Sequence, residues 1–441
     1  MAGIFKAYDI RGIYGRELTD ELAFRIGRAF ATLLKPKTVA VGRDMRPHSQ
    51  PLFEALARGL NLHGADVIDL GLCSTPMTYF GIGTTQADAG IMVTASHNPG
   101  AYNGMKLCRA GAIPISGATG IADVERIIAD GSFNPPAPTP GRIIDHPITD
   151  AYAATIRRHA DLKHPLRLAI DMANGMGIIE SKALEGVVEI DPLFDTLDGT
   201  FPNHEANPLI EETYADLQAK VRAGSYDFGV AFDGDADRAG FVDEKGEIIP
   251  MDMITALIAR DVLAHEKGVI FYDLRSSWAV KEVISEAGGT PMMSRVGHAF
   301  IKQQMRDEQA LFAGELSGHY YFRDNFYTES AALAVIRVAN IVSAAEKPLS
   351  ELIKPIRRYF ASGEINSEVK APAAALARIS DRYRDGRRFD LDGISVEYDD
   401  WWFNVRTSNT EPLVRLNTEA TTLAKMQQKR DELLAVIREE S

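Results

Sequence analysis

Cysteine is scarce in this sequence, and long apolar runs are missing from it. Cys73 and Cys108 are the only cysteines among 441 residues, which excludes a disulfide framework and a cysteine-based zinc or iron–sulfur site. No stretch approaches the roughly 18 uninterrupted apolar residues of a membrane-spanning helix, and residues 1–9 contain no signal-peptide pattern. We therefore expect a cytoplasmic protein without a membrane partner.

Positive charge is also in short supply. The chain has 48 Lys and Arg residues against 61 Asp and Glu residues, which gives a formal net charge of −13. An acidic protein repels the phosphates of nucleic acids and anionic lipids, so we expect no nucleic-acid partner, and an anionic ligand would need a locally basic pocket. The hydrophobic share of 45% excludes disorder. The length allows about three domains at roughly 150 residues each.

Short apolar runs recur along the chain, and each ends in a polar turn that is followed by helical patterning, as buried parallel strands do. These runs lie at residues 39–41, 168–170 and 269–272. A later set leads into polar loops and lies at residues 88–93, 227–232 and 309–313. The pattern predicts an α/β fold of three related domains with mixed sheets. Their active loops are expected at the carboxyl ends of matched strands.

The last part of the chain has a different pattern. Three short strand-like segments precede a helical stretch at 421–440, in which Leu423 and Met426 recur at helical spacing. A smaller α+β domain is therefore expected there. Proline and glycine mark seams at 134–141, 247–250 and 362–364, the first of them interpreted as a stiff linker. The predicted domains span residues 1–145, 146–250, 251–362 and 363–441.

Asp233, Asp235 and Asp237 alternate in one loop after a predicted strand. Three carboxylates in a curled loop can converge on one hard cation, and oxygen ligands favour Mg²⁺ or Ca²⁺. An EF-hand loop ending at Glu244 has the same Asp spacing, but Arg238 stands where that loop needs glycine, and a strand precedes it. A solvated acidic turn is the other alternative, although crowded carboxylates repel one another without a cation. A metal site is favoured over both.

Ser96 and His97 are adjacent in the loop that follows the predicted strand at 88–93. A serine-hydrolase triad is excluded because the Gly-x-Ser-x-Gly elbow is missing. A Ser-His pair by itself is more often part of a turn than of a catalytic site. Lys106 follows shortly afterwards. The Ser96 loop and Lys106 can be explained together if Ser96 carries a phosphate that a bound cation neutralises and that Lys106 approaches.

Two loops in the second half of the chain offer groups that could bind a polar substrate. Glu315, Ser317 and His319 combine a carboxylate, a hydroxyl and an imidazole, which suits hydrogen bonding to a polyol. His298 lies in another loop of the same unit, and an exposed loop position is an equally good interpretation of either histidine. A phosphate monoester needs clustered donors, among which Arg can bind it bidentately. Such donors follow a late strand at Arg406, Ser408, Asn409, Thr410 and Arg415.

Taken together, these loops resemble those of the α-D-phosphohexomutases, most closely the bacterial and archaeal phosphomannomutase/phosphoglucomutase branch. The resemblance covers essentially the whole chain. It rests above all on Thr-Ala-Ser-His-Asn-Pro at 94–99 and Asp-Gly-Asp-Ala-Asp-Arg at 233–238, in that order. It implies four domains, of which the first three are related α/β units around a central cleft.

The same resemblance implies a role for each loop. Ser96 is expected to be a phosphoserine, with Mg²⁺ held against its phosphate by Asp233, Asp235 and Asp237. The reaction centre would be lined by Tyr8, Arg11, Lys106, Arg238 and His298. The sugar hydroxyls would be bound by Glu315, Ser317 and His319. The phosphate that is not being transferred would be bound by Arg406, Ser408, Asn409, Thr410 and Arg415.

The implied activity is the interconversion of mannose 6-phosphate and mannose 1-phosphate through a hexose 1,6-bisphosphate, with glucose phosphates as second substrates. We expect hexose phosphates as the small-molecule partners and a monomer or homodimer. Many relatives carry an Asp just downstream of the Glu315–His319 loop, where this chain has residues 327–330, and several carry Lys where this chain has Arg275. The sugar preference is therefore open, and a phosphoglucosamine mutase is the alternative. An Asp-nucleophile phosphatase and a non-catalytic sugar-phosphate-binding protein are alternatives from other classes.

Overall fold

The computed structural model describes residues 3–407 and 413–439. Within these residues the chain forms four β-sheets in succession, one in each of four units. Each of the first three sheets mixes parallel and antiparallel strands, whereas the fourth is antiparallel. This confirms the predicted fold class of three α/β units followed by a smaller α+β unit.

The first unit has helices on both faces of its sheet. Side chains alternate along each strand, so neighbouring residues pack against opposite faces. Val39 and Val41 belong to one hydrophobic cluster, and Ala40 between them belongs to another. The elements of this unit are β1 (Ile10–Ile13), α1 (Asp20–Leu34), β2 (Thr38–Arg43), α2 (Ser49–Leu62), β3 (Asp66–Leu72), α3 (Thr75–Thr85), β4 (Ala89–Val93), β5 (Tyr102–Arg109), β6 (Ile113–Pro114), α4 (Ile121–Asp130) and β7 (Ile143–Asp145).

The second unit is built around β8 and β10, two short strands that are buried almost throughout. Its elements are α5 (Thr149–Arg157), β8 (Arg167–Asp171), α6 (Gly177–Glu180), β9 (Glu189–Leu193), α7 (Ala215–Ala223), β10 (Phe228–Phe232), β11 (Ala239–Val242) and β12 (Ile248–Ile249).

The third unit begins with a long helix that is buried along most of its length. Its elements are α8 (Met251–His265), β13 (Val269–Asp273), α9 (Trp278–Glu286), β14 (Thr290–Ser294), α10 (His298–Asp307), β15 (Phe312–Gly314), β16 (Tyr320–Phe322), β17 (Thr328–Glu329), α11 (Ala331–Ala345) and α12 (Leu349–Ile353).

The fourth unit ends in the predicted helix, which begins after Thr422 because that side chain accepts a hydrogen bond from the Lys425 N–H. The elements of this unit are β18 (Phe360–Ala361), β19 (Ile365–Glu368), α13 (Pro372–Arg382), β20 (Arg387–Phe389), β21 (Ile394–Glu397), β22 (Trp401–Thr407), β23 (Leu413–Ala420) and α14 (Leu423–Arg438).

One strand order recurs in the first three sheets. It runs β5-β4-β2-β3 in the first, β11-β10-β8-β9 in the second and β16-β15-β13-β14 in the third. In each case the last three strands pair in parallel, and the first strand is antiparallel to its neighbour. The three units are therefore related in topology, as the recurring apolar runs predict. The carboxyl ends of β4, β10 and β15 occupy matching places.

The first three units share one hydrophobic cluster, which includes the buried rings of Tyr79, Tyr152, Phe228 and Phe312. The fourth unit has a separate cluster around Phe403 and Leu433. The loops of the first three units are therefore held together by a common core. Polar contacts connect the fourth unit to them.

The proline-rich segment at 134–141, which is predicted to be a stiff linker, is held by backbone hydrogen bonds to the first unit. The Ala137 N–H donates to the Leu62 carbonyl and the Gly141 N–H donates to the Asn61 carbonyl, so the segment lies along the first unit. The next strand, β7, then joins the first sheet beside β3. The boundaries of the four predicted domains stay predictions. Among the described residues, no helix is both long enough and apolar enough to cross a membrane.

Candidate active site

The site lies where three matched strands end. Ser96 follows β4, Asp233 directly follows β10, and Glu315 directly follows β15. Open α/β sheets bind ligands at the carboxyl ends of their strands. Here the three ends meet: Ser96 Oγ lies 3.1 Å from Asp233 Oδ2, and His319 Nε2 lies 3.2 Å from Asp237 Oδ1. Each α/β unit thus contributes one loop to a single site.

Ser96 is held in a strained, buried turn. Its φ is 52°, a left-handed conformation that is uncommon for a residue other than glycine. Its N–H donates to Thr94 Oγ1 at 2.9 Å, and its carbonyl accepts from Arg46 Nη2 at 2.8 Å. The loop of Asp233, Asp235 and Asp237, here called the metal loop after its predicted role, approaches so closely that a Cβ on Gly234 would lie 2.4 Å from the Ser96 carbonyl oxygen. Glycine is therefore required at 234, and Ser96 Oγ is fixed against Asp233.

The three alternating aspartates converge as predicted. One carboxylate oxygen from each of Asp233, Asp235 and Asp237 lies within 4.8 Å of the others, and all three residues are buried. Asp233 Oδ1 accepts from the backbone N–H of Asp237 at 3.1 Å and of Arg238 at 3.2 Å, which curls the loop. Asp235 Oδ1 is buried without a hydrogen-bond partner among the described residues. These oxygen donors fit Mg²⁺.

Lys106 neutralises part of this acidic cluster. Its Nζ lies 2.7 Å from Asp235 Oδ2 and 2.5 Å from Asp237 Oδ2, and the side chain is buried. Burial and the two neighbouring carboxylates raise the pKa of Asp233. Burial also opposes the charge of Asp237, yet Lys106 and His319 hold the pKa of that carboxyl well below its usual range. Lys106 likewise lowers the pKa of Asp235, so two of the three carboxylates stay ionised although they are buried.

His319 connects the metal loop to the predicted sugar loop. Its Nε2 lies 3.2 Å from Asp237 Oδ1, and its Nδ1 lies 3.1 Å from Glu315 Oε2. Burial opposes a charge on the ring, but Asp237 and Glu315 raise the pKa of His319 to about 9. Ser317 Oγ lies 2.9 Å from the same Nδ1. At neutral pH the ring is therefore an imidazolium between two carboxylates.

Tyr8, Arg11 and His298 lie close to these loops. Arg11 Nε pairs with Asp9 Oδ2 at 2.7 Å, and Arg11 Nη1 donates to Asn98 Oδ1 in the Ser96 loop at 2.5 Å. The ring centroids of Tyr8 and His298 are 6.0 Å apart, and those of His298 and His319 are 6.4 Å apart. Arg238 Nε lies 3.9 Å from Asp233 Oδ2. The predicted reaction-centre residues are thus neighbours.

A second basic cluster forms where the third and fourth units meet. Glu364 Oε2 pairs with Arg406 Nη2 at 2.7 Å and with Arg275 Nη1 at 3.4 Å, and Glu364 Oε1 pairs with Arg415 Nη1 at 3.4 Å. Burial opposes the charge of Glu364, but the three guanidinium groups lower the pKa of the carboxyl to about 2. Arg406 Nε and Arg415 Nε are buried without hydrogen-bond partners among the described residues. Both retain a donor for a ligand.

The other predicted phosphate-binding residues lie outside the described residues: Ser408, Asn409 and Thr410.

Sequence reasoning missed three residues of the site. Thr75 Oγ1 donates to Asp235 Oδ2 at 2.6 Å, Arg46 binds the Ser96 carbonyl, and Glu364 bridges the arginines. The Ser-Thr-Pro sequence at 74–76 is a recognisable helix start. Nothing in it indicates a contact 160 residues away.

Four family models match the chain in order. They are the phosphoglucomutase/phosphomannomutase alpha/beta/alpha domains I, II and III, at residues 2–135, 149–246 and 250–359, and the C-terminal domain of the same family, at residues 364–436. The chain belongs to the phosphoglucomutase/phosphomannomutase family. This confirms the resemblance of the loops to phosphohexomutases, and it makes the chain a mutase-type enzyme of the isomerase class.

Members of the family resemble the chain over nearly its full length. The phosphomannomutase of Escherichia coli strain K12 is 45% identical over 430 residues, which is 94% of each chain. The phosphohexose mutases of Xanthomonas campestris pv. campestris strain B100 are 40% identical over 94% of each chain. A crystal structure of a phosphoglucomutase/phosphomannomutase family protein from Burkholderia thailandensis has a TM-score of 0.90 at 33% identity. It covers 98% of this chain and 97% of that one.

The charge on His319 gives this phosphohexomutase a testable pH dependence in its metal-free form. The folded-state pKa of about 9 lies above the ordinary value of 6.5, so the stabilisation is complete below pH 6.5 and is lost as the pH rises through 9. We expect His319→Gln to lower the free energy of unfolding by about 3 kcal/mol at pH 6, because it breaks a buried charge pair.

Urea unfolding of both proteins in EDTA between pH 6 and 9.5 measures this difference. The difference in the free energy of unfolding between the wild-type protein and His319→Gln should narrow steadily above pH 6.5. A gap that is constant over this range would show that the ring is neutral in the folded protein. His146→Gln, at an exposed histidine, is the matched control and should change little.

Proposed function

We propose that this phosphohexomutase interconverts mannose 6-phosphate and mannose 1-phosphate through a phosphoserine at Ser96 and a hexose 1,6-bisphosphate. The observation that carries the proposal is the position of Ser96 Oγ, 3.1 Å from Asp233 Oδ2 at the edge of the aspartate cluster. The names of several relatives, such as the phosphomannomutase of Escherichia coli, support the mannose preference. Glucose phosphates are proposed as second substrates.

The metal proposal rests on the donors that surround Ser96. Asp233, Asp235 and Asp237 would hold Mg²⁺ together with the phosphate on Ser96. When bound, the ion would neutralise charge on that phosphate. Lys106 and Arg238 supply further positive charge on the same side. Phosphoryl transfer depends mainly on such positioning and charge stabilisation, because the transferred group is close to metaphosphate in the transition state.

A transfer from Ser96 to a sugar breaks the Oγ–P bond and forms a bond between the phosphorus and a sugar hydroxyl oxygen, which must lose its proton. We assign the acceptance of that proton to His298. Burial, Lys302 and Lys106 hold the pKa of His298 well below its usual range, so the ring is neutral and free to accept, although it is a weaker base than an exposed imidazole. Its Nδ1 has no hydrogen-bond partner among the described residues. Transfer back to Ser96 reverses both changes.

The phosphate that is not being transferred is proposed to bind at the second basic cluster. Arg406 and Arg415 retain unpartnered Nε donors there, and Arg275 lies beside them. Residues 408–410 are proposed to complete this site. Glu315 and Ser317 are proposed to bind the sugar hydroxyls, with His319 holding Glu315 in place. Because either end of the sugar must reach Ser96, both sites have to accept the substrate in two orientations.

An Asp-nucleophile phosphatase fits the geometry less well. Both oxygens of Asp233 accept hydrogen bonds, from backbone N–H groups and from Ser96, and Asp235 Oδ2 accepts from Lys106 and Thr75, whereas Asp235 Oδ1 is the oxygen proposed for Mg²⁺. Carboxylates engaged in this way are poor nucleophiles, since the same lone pairs accept these hydrogen bonds. A phosphoglucosamine mutase uses the same reaction on a different sugar and is separated from our proposal by a substrate comparison.

The substrate comparison is a mutase assay with Mg²⁺ and a trace of hexose 1,6-bisphosphate. It ranks mannose 1-phosphate, glucose 1-phosphate and glucosamine 1-phosphate by kcat/KM. We expect the highest value for mannose 1-phosphate, with glucose 1-phosphate second. A preference for glucosamine 1-phosphate would contradict the proposed substrate but leave the phosphoryl transfer in place. Turnover of none of them would favour the binding-protein alternative.

The metal site gives a prediction that needs no turnover. Mg²⁺ should raise the Tm of the protein, because a ligand that binds only the folded state stabilises it. Asp235→Asn should weaken Mg²⁺ binding by about a hundredfold, since it removes one of three charged ligands. Thermal unfolding over a Mg²⁺ titration measures both effects. Asp195→Asn, at an exposed position of the same unit, is the control. An unchanged Mg²⁺ response in Asp235→Asn would place the ion elsewhere.

A further inference from the structure

A buried carboxylate lies behind the metal loop at the junction of the first three units. Glu180 is the last residue of α6, and its side chain is fully buried. Its Oε2 accepts from Ser74 Oγ of the first unit at 2.6 Å. Its Oε1 accepts from Tyr152 Oη of the second unit at 2.6 Å and from the Ala332 N–H of the third unit at 3.3 Å. One side chain thus connects three units.

The hydrogen bonds around Glu180 can be assigned proton by proton. The Ser74 hydroxyl accepts from the Met77 N–H, so its own proton is free to point at Glu180. The Ser330 hydroxyl accepts from the Leu333 N–H and donates to Tyr152 Oη, which in turn donates to Glu180. Every donor points towards the carboxyl group. Such an arrangement favours the ionised form of Glu180, because the O–H of a protonated carboxyl would find only donors around it and no acceptor.

Two helices compensate this buried charge. Ser74 is the N-cap of α3 and Ser330 is the N-cap of α11, so the N-termini of both helices face Glu180. The positive end of a helix dipole stabilises an anion at this position. O–H···O distances of 2.6 Å are typical of hydrogen bonds to a charged acceptor. Burial raises the pKa of Glu180 to about 7, although the three hydrogen-bond donors lower it. The ionised form therefore predominates at pH 8.

The same hydrogen bonds lead directly to the metal loop. Thr75 follows Ser74, and its N–H and Oγ1 donate to the Asp235 carbonyl at 3.1 Å and to Asp235 Oδ2 at 2.6 Å. On the other side, Glu329 precedes Ser330 and pairs with the buried Lys302 at 2.7 Å. A carboxylate oxygen of Glu329 lies within 4.8 Å of ligand atoms of both Asp237 and His319. A shift of either helix start would therefore move the surroundings of the aspartates.

We propose that Glu180 is a positioning residue: it fixes the starts of α3 and α11 against each other, and thereby places Asp235 for Mg²⁺ through Ser74 and Thr75. The inference rests on the proposed Mg²⁺ site. Glu180 touches neither the ion nor the substrate. Its effect should be seen in the affinity for Mg²⁺ and in kcat, while the KM for the sugar phosphate, which depends on other loops, changes little.

The test compares the wild-type protein with Glu180→Gln at pH 8, well below the melting temperature of either. A glutamine amide can accept at only one end, so either Ser74 or Tyr152 loses its acceptor. We expect Mg²⁺ binding, measured by titration calorimetry, to weaken about tenfold, as disrupted supporting contacts do at metal sites. Glu185→Gln, at an exposed position five residues away, is the matched control and should bind Mg²⁺ like the wild type.

The outcomes separate the two proposals. Glu180→Gln that has a lower Tm but binds Mg²⁺ as tightly as the wild type would overturn the positioning role and leave the proposed function intact. A wild-type protein that binds no Mg²⁺ would overturn both. If Glu180→Gln does not fold, Tyr152→Phe removes a single hydroxyl and should weaken Mg²⁺ binding in the same direction by a smaller factor. Unchanged binding in Tyr152→Phe would then contradict the proposal.

Discussion

Buried like charges repel one another strongly, and this protein holds three buried aspartates with carboxylate oxygens within 4.8 Å of one another. Lys106 and His319 offset part of that repulsion, each from a different unit. Asp235 keeps one buried oxygen without a partner among the described residues, which leaves room for a divalent cation. The charged groups and hydrogen bonds around the three aspartates therefore reduce this repulsion.

The site exists only because three topologically related units are packed in one arrangement. The first supplies Ser96, the second supplies the aspartates, and the third supplies His319 and Glu315. A hydrophobic cluster shared by these units sets their distances coarsely, and directional hydrogen bonds such as those of Thr75 refine them. The fourth unit has its own core and meets the others through charged groups, chiefly Glu364 and its arginines. A separate core would let the fourth unit move as a body to admit and release the proposed substrate.

The sequence was sufficient to predict what is local. Apolar runs closed by polar turns predicted the strands, and their order in the chain predicted that Ser96, Asp233 and Glu315 would follow matched strands. It could not predict partners that come from distant segments. The contact between Thr75 and Asp235 and the one between Glu180 and Ser74 depend on how whole units pack. The backbone hydrogen bonds of the proline-rich segment at 134–141 to Leu62 and Asn61 likewise leave no trace in composition. The roles of Ser408, Asn409 and Thr410 stay predictions.

Phosphoryl transfer through Ser96 is tested most directly by intact-mass measurement of the protein after incubation with glucose 1,6-bisphosphate and Mg²⁺. The wild-type protein should gain the mass of one phosphoryl group, and peptide mapping should place it on Ser96. Ser96→Ala should gain none and should have no mutase activity. A Ser96→Ala protein that is still phosphorylated, or that still interconverts hexose phosphates, would contradict the phosphoserine and point to an aspartate as the nucleophile.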